Sequence, residues 1–124
     1  MKAFSIKGKN NNPTIHFDPS KGTLEISGMS VPENSYEFYQ PLINCICEYI
    51  EKPQKNTEIN IKLTYFNTST SKILLNILKK MEEIHKKGLE LIVNWHYSVE
   101  DIDMLEAGQD YQTLINLPIN MVEY

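Results

Sequence analysis

The stretch INIKLTYFNTSTSKILLNIL, residues 59–78, changes its period in the middle. Apolar side chains first fall at every second place, at Ile59, Ile61, Leu63 and Tyr65, with Asn60, Lys62 and Thr64 between them. Strict alternation marks a strand buried on one face only. After the polar run the spacing becomes three and four. Leu74, Ile77 and Leu78, continued by Met81 and Ile84, predict a helix over 69–87 with Gly88 closing it. A strand with one wet face that leads directly into a helix decides the fold class. A doubly wound sheet would instead show continuously apolar strands. The reading is therefore α/β, a single-layer mixed sheet with helices packed mainly on one face.

Working outward, three more stretches alternate. Ile15 and Phe17 flank His16, Leu24 and Ile26 flank Glu25, and Leu89, Leu91, Val93 and Trp95 are spaced by Glu90, Ile92 and Asn94. DPSKGT (18–23) reads as the turn that joins the first two strands into a hairpin. Residues 34–52 carry Phe38, Leu42, Ile43, Ile46 and Ile50 at helical spacing, and Pro41 predicts a short first turn or a kink. A third helix is expected from SVED, where Ser98 and Asp101 have roughly capping-box spacing, to about Gly108. The tail TLINLPINMVEY offers a last strand, which Pro118 confines to an edge or breaks. The order is β-β-α-β-α-β-α-(β). The hairpin should be antiparallel and the strands joined by crossover helices parallel. Residues 1–124 are expected to form one domain, long enough to bury a core without staples.

Composition excludes several classes of function. A formal charge of −4 lacks the basic stripe that nucleic-acid binding needs, and Lys79, Lys80, Lys86 and Lys87 complement a helix C-terminus. No run of the sequence is long and apolar enough to cross a bilayer, and MKAFSIKGKNNNP lacks the apolar segment of a signal peptide, so the cytoplasm is the expected compartment. Cys45 and Cys47 stand two apart in a helical pattern, face different ways, and are expected as buried or half-buried free thiols.

Catalytic motifs fare poorly. Ser69-Thr70-Ser71-Lys72 matches S-x-x-K, but the S-D-N and K-T-G elements that accompany it in penicillin-binding proteins are missing. His16 and His96 fall on the polar phase of their strands, and no carboxylate is placed to orient either. Asp101, Asp103 and Glu106 suit the positive end of a helix rather than a metal. No cofactor, metal site or catalytic residue is expected. The four hydroxyls Thr68, Ser69, Thr70 and Ser71 remain. One of the first two caps the helix, as Thr and Ser commonly do. The same helix N-terminus also suits a phosphoryl group, with Lys72 one turn on and able to pair with it.

Two long motifs, VPENSYEFYQPLINCICEYI (31–50) and LTYFNTSTSKILLNIL (63–78), resemble the SiaC family of bacterial regulatory phosphoproteins. GTLEISG and GLELIVNWHYSVEDIDMLEAGQDY (88–111) extend the resemblance to nearly the whole chain, in family order. The resemblance implies a fold similar to the anti-sigma-factor antagonists (the STAS class) and no catalysis. It implies a threonine in the NTS motif, here Thr68, phosphorylated by a partner protein kinase and dephosphorylated by a PP2C-type phosphatase. It also implies that the unmodified form binds a diguanylate cyclase (a GGDEF protein) and promotes cyclic-di-GMP synthesis and biofilm regulation. Asn67 and Ser69 match the motif flanks, and Glu33, Asn34, Ser35 and Tyr36 match the other signature. Those six, with Lys72, are the expected partner-binding residues, although Asn34 and Ser35 also suit the turn and cap of the first helix. Thr70 is a second candidate for phosphorylation. The rival functions are an anti-sigma-factor antagonist in transcriptional partner switching and a small enzyme built on Thr68–Ser71 and His96.

Overall fold

The computed structural model describes residues 2–124. Among them run, in order, β1 (Phe4–Ile6), β2 (Thr14–Asp18), β3 (Thr23–Ser30), α1 (Ser35–Glu51), β4 (Asn56–Phe66), α2 (Thr68–Lys86), β5 (Glu90–Tyr97), α3 (Ile102–Leu114) and β6 (Ile119–Glu123). The six strands form one mixed sheet in sequence order. β1 and β2, and β2 and β3, pair antiparallel, while β3 to β6 are parallel neighbours. The expected hairpin and crossovers are present. The three-residue β1, too short for a periodic signal, adds an edge strand that alternation did not reveal, with Phe4 opposite Phe17.

One phase of every central strand is buried. Ile15, Phe17, Leu24, Ile26, Ile59, Ile61, Leu63, Val93 and Trp95 meet Tyr39, Leu42, Ile46 and Tyr49 of α1 and Ile73, Leu74, Ile77, Leu78 and Met81 of α2 in one core. α3 closes the same side, where the Trp95 indole N–H donates to the Met104 carbonyl at 2.9 Å. The opposite face of the sheet is polar. It carries the Glu25–Lys62 ion pair at 3.0 Å and an amide row in which Asn120 donates to Asn94 and Asn94 to Asn60.

Four local expectations need correction. α1 runs from Ser35 to Glu51 as one helix, so the short first turn, one of the two expectations for Pro41, is not set off. An interior proline costs a helix about 3 kcal/mol, and here Pro41 is exposed while Tyr39, Leu42, Ile46 and Tyr49 on the other face are buried to within 1%. α3 begins later and ends later than the Ser98–Gly108 pattern suggests. Ser98 makes only a turn to Asp101, and Asp101 is the true cap, its carboxylate accepting from Met104 N–H at 3.0 Å. Gly108 lies inside α3 because a Cβ there would stand 2.5 Å from Trp95 Cδ1, so the helix can approach the indole only at a glycine. Cys45 is half-buried, with burial pushing its thiol pKa up, but Cys47 is exposed; both are free.

The fourth correction concerns Tyr65. Gly28 pairs with Leu63 but Met29 pairs with Tyr65, so Thr64 is an extra residue on β4. A bulge of this kind inverts the side-chain phase beyond it. Phe66 turns to the core side, 6.0 Å from Trp95 edge to face, and Tyr65 turns outward with 57% exposure. Gly28, at φ +92°, supplies the left-handed backbone opposite the bulge.

Candidate functional site

β3 to β6 are parallel, so their C-terminal ends lie along one edge of the sheet, and α1, α2 and α3 each start from that edge. The helix starts are built from asparagine and aspartate caps. Asn67 sits between β4 and α2 in extended backbone (φ −88°, ψ 176°), and its N–H donates to the Ser30 carbonyl at 3.2 Å. Its Oδ1 accepts from the Thr70 N–H at 2.9 Å and from the Ser69 hydroxyl at 3.0 Å. The cap of α2 is therefore Asn67, not Thr68 or Ser69. An amide oxygen one residue earlier reaches the third N–H of the helix and outcompetes a hydroxyl placed inside the first turn.

With capping assigned to Asn67, the four hydroxyls separate by role. Thr70 is fully buried; its Oγ1 donates to the Ser30 carbonyl at 3.1 Å and lies 3.0 Å from Ser30 Oγ, which in turn lies 2.7 Å from Tyr39 OH. Burial pushes the Tyr39 phenol up to about 12, and the Ser30 hydrogen bond partly offsets it. Ser69 bridges to Ser35 of α1 at 2.7 Å, and the Ser71 hydroxyl donates to the Thr68 carbonyl at 2.8 Å. Thr68 itself is exposed at the first helical position, and its hydroxyl has no hydrogen-bond partner among the described residues. With the Thr70 N–H taken by Asn67, helix geometry leaves the N–H groups of Thr68 and Ser69 without an intrahelical acceptor beside it.

The second signature lies next to the first. Asn34 caps α1, accepting from Glu37 N–H at 3.1 Å, and the Ser35–Ser69 bridge brings the two helix N-termini together. Ser35 is buried, whereas Glu33, Asn34 and Tyr36 are exposed. Beside them a hollow of about 760 Å³ runs under Glu33, Asn34, Glu37 and Phe38 to Asn10–Asn12. Lys72 is exposed one turn along α2. It stands at the lip of a groove of about 230 Å³ lined by Phe66, Leu75, Ala107, Tyr111 and Leu114.

Alternation and spacing did not find the apolar rim of this edge. Large exposed apolar side chains include Met29, Tyr36, Tyr65, Val99, Ile102 and Tyr124. Each of the six follows or ends a parallel strand at its C-terminal end, or begins a helix there. Met29, on the outward phase of β3, and Tyr65, turned outward by the bulge, are cross-strand partners. Single exposed apolar residues are ordinary, but a group of them on one edge marks an interaction surface.

The rival catalytic arrangement is not assembled. His96 lies on the polar sheet face, 3.1 Å from Asn60 Oδ1, with its pKa lowered by burial and by nearby Lys62. The sheet separates it from the hydroxyl cluster on the helical side. Among the described residues no group of three His, Cys, Asp or Glu side chains is placed to hold a metal, and no helix is long and apolar enough to cross a membrane.

A family model described as SiaC family regulatory phosphoprotein matches residues 6–124. The chain is 30% identical over 118 residues to an uncharacterised protein of Pseudomonas aeruginosa (strain UCBPP-PA14), covering 95% of this chain and 94% of that one. Its structure is similar to that of SiaC of Pseudomonas aeruginosa, with a TM-score of 0.91 at 29% identity and full coverage of both chains. It is also similar to a chain in the crystal structure of diguanylate cyclase SiaD in complex with its activator SiaC from the same organism. That match has a TM-score of 0.91 at 29% identity and covers 98% of this chain and 99% of that one.

Proposed function

Because the chain belongs to the SiaC family of regulatory phosphoproteins, we propose that it is a non-catalytic switch whose state is set at Thr68. A partner protein kinase transfers the γ-phosphoryl group of ATP to Thr68 Oγ1, releasing ADP and the hydroxyl proton. A PP2C-type phosphatase returns the hydroxyl by adding water and releasing inorganic phosphate. The bare form binds and activates a diguanylate cyclase, so the output is cyclic-di-GMP synthesis and biofilm regulation. Residues 1–124 act as one domain in the cytoplasm, and the partners are proteins rather than nucleic acid or membrane. Glu33, Asn34, Ser35, Tyr36, Asn67, Ser69 and Lys72 form or shape the surface that the partners contact.

One observation carries this reading. Of the four hydroxyls, Thr68 alone is both exposed and without a partner among the described residues, and it sits on the sheet edge that gathers Met29, Tyr36, Tyr65, Val99, Ile102 and Tyr124. A phosphate adds about −1.5 to −2 charges at neutral pH. Set on an apolar rim, that charge must be desolvated or repelled when a partner docks, which lowers affinity in the modified state. Thr70, fully buried and bonded to Ser30, is a poor substrate because a kinase must first open the helix start.

The test is intact mass after incubation with ATP and the partner kinase, for wild type, Thr68→Ala and Thr70→Ala. The expected result is one phosphoryl gain in wild type and in Thr70→Ala, and none in Thr68→Ala. A gain that persists in Thr68→Ala moves the site. No gain with a kinase active on another substrate removes the switch.

A further inference from the structure

The groove between α2 and α3 is not used by the fold. Its lining is mainly apolar, with Phe66, Leu75, Ala107 and Leu114 along it, and the two helices meet below through the Tyr111 hydroxyl, which donates to the Ser71 carbonyl at 2.7 Å. Phe66 and Ala107 also line a smaller hollow of about 190 Å³ that reaches Tyr65, so the groove continues into the exposed apolar rim. Two opposite charges flank it. Lys72 and Asp110 both line the groove, both are exposed, and neither forms an ion pair among the described residues. The groove is therefore apolar inside, with an unpaired cation on one lip and an unpaired anion on the other.

Lys72 is also four residues beyond Thr68 on the same helix. Side chains at i and i+4 share a face, and an anion placed N-terminal to a cation is the favoured order. Resting on the proposed function above, we propose that Lys72 transmits the state of Thr68 to this groove. When Thr68 is bare, Lys72 meets a carboxylate of an apolar segment of the diguanylate cyclase seated between α2 and α3. When Thr68 carries phosphate, Lys72 is held by the phosphate and the segment loses that contact. The apolar lining calls for a Leu- or Phe-bearing segment, and the flanking charges call for an acidic residue facing Lys72 with a basic one facing Asp110. The switch thus needs no rearrangement of the hydroxyl network below it. One long side chain changes partner.

The experiment uses the full chain with phosphothreonine installed at position 68 during translation, which removes any dependence on the kinase. The phosphate is titrated by phosphorus NMR with Lys72 present and in Lys72→Met, and cyclase affinity is measured by calorimetry for the bare and phosphorylated forms of both. With Lys72 present the second ionisation of the phosphate lies lower than in Lys72→Met, because a nearby cation favours the dianion. In binding, Lys72→Met weakens the bare form and narrows the bare-to-phosphorylated affinity ratio by about tenfold, roughly the loss of one charge contact. An unchanged titration midpoint or an unchanged ratio overturns the transmitter. Leu114→Asp, at an exposed groove position, abolishes cyclase binding; intact binding overturns the seat, and loss only of self-association assigns the groove to a second copy instead. A bare wild-type chain that does not bind the cyclase overturns the proposed function itself and this inference with it. Binding that switches with phosphate but ignores Lys72 overturns only this inference.

Discussion

The Ser35 hydroxyl lies 2.7 Å from the Ser69 hydroxyl, and this contact joins the first turns of α1 and α2 across 34 residues of chain. Ser35 is buried, and Ser69 is held from its other side by Asn67. Two motifs far apart in the sequence therefore form one continuous surface, and the geometry of the exposed Thr68 depends on both.

That coupling is measurable. Ser35→Ala leaves a half-buried hydroxyl without its partner and is expected to cost about 1–2 kcal/mol. Ser69→Ala should cost a similar amount, but the double mutant should lose clearly less than the sum because both changes remove the same contact. Urea denaturation of the four proteins of the cycle gives the coupling energy. Additive losses would mean that the bridge contributes nothing to joining the helices.

The two threonines should separate stability from regulation. Thr70→Val keeps the shape but leaves the Ser30 carbonyl without its side-chain donor, so a loss of about 1–3 kcal/mol is expected. Thr68→Ala alters an exposed side chain with no hydrogen bond among the described residues and should stay within about 0.5 kcal/mol of wild type. Thermal or urea unfolding that ranks the two the other way would contradict the assignment of structural and free hydroxyls.

Tyr39 gives a pH signature. Its phenol is pushed up to about 12 in the fold, above its ordinary value of about 10, chiefly by burial. Between these values the folded chain binds more protons than the unfolded chain, so stability falls as pH rises through that window. Below about pH 10 the contribution is fully present. Burial also raises the Tyr111 phenol, so the diagnostic comparison is with Tyr39→Phe, which should flatten the alkaline slope without abolishing it. An identical slope in Tyr39→Phe would show that Tyr39 ionises as freely folded as unfolded.

Much of this architecture was legible in sequence because alternation and helical spacing report burial directly. Ile59, Ile61 and Leu63 fall on one face as their period requires, and Leu74, Ile77, Leu78, Met81 and Ile84 form the buried stripe of α2. The failures share a physical cause. Alternation predicts Tyr65 on the apolar phase, but a bulge at Thr64 reverses the phase, and a bulge has no periodic signature. Residue preference alone points to Thr68 or Ser69 as the cap of α2, whereas Asn67 is the residue with both extended backbone and an oxygen at the right distance. The Ser35–Ser69 contact and the α2–α3 groove are tertiary facts that depend on how two helices lean together. The motif resemblance implicates Glu33 to Tyr36 and Asn67 to Ser69, but the fold shows which of them are exposed and which are bonded internally.

The apolar rim should be separable from the fold. Tyr65→Lys replaces an exposed aromatic at the end of β4 and should leave unfolding within about 0.5 kcal/mol of wild type. Its effect should appear in partner binding, with affinity for the proposed cyclase partner weakened by about tenfold or more, as expected for loss of an aromatic contact in an interface. Unchanged affinity, measured by calorimetry, would place the docking surface away from the Met29–Tyr65 pair.

Gly108 tests whether close approach or helix propensity decides a residue inside α3. On propensity alone Gly108→Ala should stabilise the helix by up to about 1 kcal/mol. The added Cβ would instead stand 2.5 Å from Trp95 Cδ1 and 2.8 Å from Trp95 Nε1. Met121 Cε, at 2.6 Å, can move aside because it ends a flexible side chain, but Trp95 is fully buried and its N–H is tied to the Met104 carbonyl. The helix must therefore lift from the sheet, straining that hydrogen bond and the packing of Tyr111 on the indole. The expected outcome is a net loss of about 1–3 kcal/mol, as for other overpacked cores. The emission of Trp95, the single tryptophan, should shift to longer wavelength as water reaches it. A stabilised Gly108→Ala with unchanged emission would show that α3 has slack against the sheet, and the glycine would then need another explanation.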